Sequence, residues 1–145
     1  MPALSRWYIK TALVYLVLGG SLGGLLLADK ALSFSGRLWG PLPLHIEWLL
    51  LGWTLQLAMG VAWWILPRPS PRMMQNRWVW SSYGLLNGGL VLPLAIQLIS
   101  LFGRQPPGWP SLLATLMEVT SVAVFAIAAW PRIGFVPLMV LQKRE

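Results

Sequence analysis

Between Lys10 and Asp29 the chain runs for eighteen residues without a charge, and between Arg77 and Arg104 for twenty-six. At about 1.5 Å of rise per helical residue, the first run nearly crosses a hydrocarbon layer of about 30 Å and the second crosses it with room to tilt. Two further apolar stretches, 42–66 and 109–130, carry one acid each, Glu47 and Glu118. They stop at Pro67-Arg68-Pro69 and Pro131-Arg132, where proline and a charge close a span together. The pattern predicts an all-α polytopic membrane protein. Its single transmembrane domain, residues 1–145, holds four helices, at about 8–28, 42–66, 78–102 and 109–130. Only 10% of the residues are charged, less than half of what a water-facing domain carries. The segment after the first apolar core, Ala28-Asp29-Lys30-Ala31, is not a signal-peptide cleavage site, so the first helix is expected to stay.

The sparse charges also orient the chain. Arg6, Lys10, Arg68, Arg72, Arg77, Arg132, Lys143 and Arg144 fall on one side of these spans, against Lys30, Arg37 and Arg104 on the other. By the positive-inside rule both termini are cytoplasmic, as in a protein of the inner membrane. The net charge of +7 then reflects topology and anionic lipid, and calls for no nucleic acid. Most tryptophans, among them Trp7, Trp39, Trp64, Trp109 and Trp130, fall near span ends, where an amphipathic ring anchors a helix.

Chemistry has few residues to use. With no cysteine there are no disulfides, thiolate metal sites or covalent haem attachment, and His45 is the only histidine. On a uniform helical wheel His45, Leu49, Gly52, Gln56, Met59 and Trp63 share one stripe. Gly52, two turns below the imidazole, is expected to open a flat groove about as long as a porphyrin. Arg37 and Arg104, on the two outer loops, are placed to pair with haem propionates or to anchor the interface. In the first helix, Gly19/Gly23 and Gly20/Gly24 form two overlapping small-xxx-small pairs that let another helix approach closely. Asn87, Gly88 and Gly89 make a similar notch in the third, with Pro93 able to kink it. Glu47 points away from His45. Glu118, roughly 12 Å inside its span, is expected to be protonated or paired with Thr115, Thr120, Ser121, Asn87 or Gln56, as a packing residue, a proton relay or a quinone ligand.

The segment from Pro43 to Arg68, with its histidine at the outer end, Gly52 in the middle, Gly60 before the Trp63-Trp64 pair and a closing Pro67, resembles the second helix of haem-copper oxidase subunit I. The likeness is strongest to the branch of nitric-oxide reductases and C-type cytochrome oxidases. It implies that His45 ligates the iron of a haem b. The further histidines of that family are missing, so its oxygen or NO chemistry is not implied, and the sequence gives no positive sign of an enzyme acting alone. Three coordination schemes stay open: His45 from each chain of a homodimer, Met117 or another methionine as sixth ligand, or a five-coordinate gas-sensing iron. The symmetric homodimer is favoured, with electron transfer or redox sensing as its role. The competing expectation is a haemless accessory or assembly subunit of a respiratory complex. Membrane lipid, a second copy, and a respiratory complex or quinone are the expected partners.

Overall fold

The computed structural model describes residues 1–32, 40–67, 76–101 and 107–133, and all regular structure among them is helical. Helix α1 spans Ala3–Leu32, α2 Leu42–Ile65, α3 Asn76–Leu101 and α4 Trp109–Ile133. All four are long and apolar enough to cross a membrane. Large apolar side chains cover the outside of the bundle as well as its core. Val17, Leu27 and Ile127 are 65%, 69% and 73% exposed, on a scale that a soluble monomer does not tolerate. Facing the bundle axis are Ser5, Gln56, Ser82 and Ser121, all fully buried.

The helices form two antiparallel pairs, α1 with α2 and α3 with α4. One end of the bundle carries Ala3, Ile65, Asn76 and Ile133, here the terminal end. The other, the loop end, carries Leu32, Leu42, Leu101 and Trp109. The α1–α2 seam is an exchange of glycines. Near the loop end, Gly19 and Gly23 of α1 lie under Leu49 and His45 of α2. Further along, Gly52 and Gly60 of α2 lie under Tyr15 and Tyr8 of α1. A Cβ at Gly52 would stand 2.6 Å from Tyr15 Cγ, and one at Gly60 2.7 Å from Tyr8 Cβ, so each glycine is a socket for the opposite side chain. In the second pair, Gly88 and Gly89 of α3 receive Met117 and Glu118 of α4. Helix α3 continues through Pro93.

Polar contacts join the pairs. Ser82 and Ser121 each donate to the other's backbone carbonyl, at 2.9 and 2.7 Å. Tyr8 Oη lies 3.2 Å from both Val79 O and Ser82 Oγ, tying α1 to that knot. Trp48 Nε1 donates to Leu90 O at 3.1 Å, tying α2 to α3. At the terminal end the Arg132 guanidinium lies 3.3 Å above the centre of the Trp63 ring, linking α4 to α2 through a cation–π contact.

Two differences from the sequence-based expectation stand out. Helix α1 is longer than the uncharged run at both ends, because Arg6, Lys10 and Lys30 stay exposed on outward faces of a helix that continues through them. Within α2, Trp48–Leu55 is a π-helix between α-helical ends. Gln56 N–H bonds back to Leu51 O, five residues earlier, and Thr54 Oγ1 donates to Leu49 O in the same interval.

Candidate functional site

His45 stands in the second turn of α2, half-buried against α1. Its local helix begins on Pro41 and Pro43, which suit a helical first turn where backbone donors have no partner. The glycine at position 23 is what lets the Cε1 edge of the ring come up against α1, since any Cβ there would collide with the imidazole. Nδ1 lies 2.8 Å from Gly19 O. A carbonyl only accepts, so Nδ1 carries a proton, and in the neutral imidazole the lone pair is then on Nε2. No described residue hydrogen-bonds to Nε2. A metal-ligating histidine is held in this way, by one ring nitrogen donating to a carbonyl while the other faces the metal.

Beside this imidazole is a cleft of about 470 Å³ walled by His45, Leu42, Gly20, Gly23, Gly24 and Leu26. That volume is in the range of small-molecule and cofactor sites. A Cβ at Gly20 or Gly24 would meet nothing within 4 Å, so the second small-xxx-small pair of α1 faces open space. The groove expected along α2 therefore lies elsewhere. Space at Gly52 is filled by Tyr15, and Leu49 is seated on Gly19. Gln56 donates to Tyr8 O and to the Thr11 hydroxyl, and Met59 is buried in the core. His45, Leu49, Gly52 and Gln56 do share a face, but that face is the contact with α1. The open surface beside the histidine belongs to the glycines of α1.

Of the other candidates, Arg37 and Arg104 lie outside the described residues. Met117 enters the α3–α4 seam over Gly88, whereas the cleft at His45 is walled by α1 and α2. Glu118 is buried with its Cγ against Gly89, and its Oε1 has no hydrogen-bond partner. Four of its five expected partners bond elsewhere, Thr115 to Ser111 O, Ser121 to Ser82 O, Asn87 to Tyr83 O and Gln56 to α1, and the fifth, Thr120, is exposed. No group of three or more His, Cys, Asp or Glu side chains suited to a metal ion occurs among the described residues.

Comparison with family models, curated proteins and solved structures finds no match to this chain. None of these comparisons links the chain to haem-copper oxidase subunit I.

Proposed function

We propose that this is a multi-pass inner-membrane protein with cytoplasmic termini that binds a b-type haem through His45 and serves electron transfer or redox sensing. The observation that carries the reading is the histidine with one nitrogen committed to Gly19 O and the other free, on the wall of an apolar cleft with two bare glycines. A porphyrin supplies four ligand nitrogens, leaving the protein to provide one or two axial groups. In this chain His45 would be the residue that holds the iron. The cleft is open on one side, and a second copy related by a two-fold axis would close it with its own glycines and histidine. With two imidazoles the iron has no open position, which suits electron transfer. Arg37 and Arg104 are proposed to meet the propionates.

An absorption spectrum of the purified, haem-supplied protein tests this directly. The expected result is a Soret band with sharp low-spin α and β bands on reduction, weak CO binding, and loss of the bands in His45→Ala. Strong CO binding would point to a five-coordinate gas sensor instead. A colourless wild-type protein would overturn the haem reading and leave the second one, a haemless accessory subunit of a respiratory complex. That reading has its own support, because the Gly19–His45 hydrogen bond gives the histidine a packing role between α1 and α2 without any haem.

A further inference from the structure

On another face of α2 a second cleft, of about 270 Å³, lies among α2, α3 and α4 at the loop end. Its polar wall is Glu47, Gln97, Ser111 and Thr115, and its apolar wall includes Leu44 and Ile96. Glu47 is one turn into α2, and its Oε2 is shielded from solvent with no hydrogen-bond partner. The Thr115 hydroxyl spends its proton on Ser111 O at 3.1 Å, so toward the cleft it offers lone pairs. The cleft thus presents Glu47 and Thr115 as acceptors, beside Gln97 and Ser111, whose amide and hydroxyl can also donate, next to apolar side chains.

Those demands narrow the ligand. A lipid phosphate is an acceptor and would face Glu47 with no lysine or arginine among the lining residues. A bare metal cation would find one carboxylate where several oxygens are needed. A ring carrying hydroxyls meets both halves of the wall, its O–H groups on Glu47 and Thr115 and its face on Leu44 and Ile96.

We propose that this cleft is a binding site for the head group of a membrane-soluble hydroquinone, with Glu47 accepting a hydrogen bond from a ring hydroxyl. The site shares the first turns of α2 with His45, so a bound ring lies within about one helix diameter of the imidazole. The inference deepens the haem reading by naming the class of electron donor, but the binding itself requires no haem.

The chemistry predicts a preference between redox forms. A hydroquinone can donate to Glu47 and Thr115 and the corresponding quinone cannot, whereas either form can accept from Gln97 and Ser111, so the Glu47 side of the cleft favours the reduced form. Anaerobic calorimetry on the full-length protein in detergent, with and without haem, would measure tetramethyl-1,4-hydroquinone against tetramethyl-1,4-benzoquinone. Expected are saturable binding of one hydroquinone per chain in both preparations, weaker binding of the quinone, and about a tenfold loss for the hydroquinone in Glu47→Ala, as for a hydrogen bond to a carboxylate. Ile96→Trp, which fills the cleft from its apolar side, should abolish binding of both forms while the helical circular dichroism is retained. Equal affinity for the two forms, or hydroquinone binding unchanged in Glu47→Ala and Ile96→Trp, would overturn the proposal. Hydroquinone binding to a protein that shows no Soret band would uphold the site and reject the haem.

Discussion

Single glycines separate packing from binding in this protein. Gly19, Gly23, Gly52 and Gly60 are sockets for side chains of the opposite helix, whereas Gly20 and Gly24 face open space. A methyl group added at Gly52 meets the Tyr15 ring, so Gly52→Ala should destabilise the bundle by about 1–3 kcal/mol, as overpacking does. Gly20→Ala meets nothing and removes a flexible residue from a helix, so it should leave thermal stability unchanged or raise it by up to about 1 kcal/mol. If the cleft takes a porphyrin, the same Gly20→Ala change lowers haem occupancy. Parallel measurement of melting temperature and Soret absorbance therefore reads the two roles separately. Stability lost at position 20 would show that this glycine packs as well. A second residue-scale contrast is Glu118, whose Oε1 is buried without a partner. Replacing it with the similarly long, apolar methionine removes that cost while keeping the chain seated on Gly89. Glu118→Met should raise the melting temperature in detergent, and a clear fall would show that the carboxyl has a stabilising partner.

At the scale of the helix, the sequence made the number and order of the spans legible, because uncharged runs and Pro-Arg stops follow from the thickness of a hydrocarbon layer. It located the ends less well. A charge on an outward face can extend past the layer without ending the helix, as Lys10 does within α1. The stripe His45-Leu49-Gly52-Gln56 was legible as one face, since spacing alone defines it. What covers that face was not, because a glycine gap reads the same whether a cofactor or a tyrosine from α1 fills it. Nor did the residues of Trp48–Leu55 announce a π-helix. Apart from Gly52 they are compatible with an α-helix, and a helical glycine does not by itself call for a wider turn. The fit of α2 between its neighbours yields a further expectation. Trp48 reaches Leu90 O from inside the π-helical segment, so Trp48→Phe keeps the apolar ring and removes the donor. A loss of about 1 kcal/mol is expected, in the range of hydrogen bonds between membrane helices, measured by unfolding in mixed micelles. An unchanged midpoint would mean that packing alone holds α2 to α3.

For the whole molecule, the main consequence is that the described residues cover only part of His45's surroundings. The two seams satisfy most of the bundle's small residues, yet Gly20, Gly24 and Leu27 line an open cleft beside the only imidazole. A second copy placed by a two-fold axis through that cleft brings identical residues together, because at a symmetric interface the patch meets itself. The natural sequence has no cysteine, so a single cysteine reports on this without background. Leu27 is 69% exposed on the cleft wall. Leu27→Cys should give a disulfide-linked dimer in membranes under mild oxidation, whereas Leu116→Cys, on an exposed face of α4 away from the cleft, should stay monomeric. Haem bound across the same interface should be present at one per two chains, and crosslinking at position 27 should slow its loss to an apo-haem acceptor. A monomer at every cysteine position, with one haem per chain, would remove the shared site. The sixth position would then belong to another ligand or stay open.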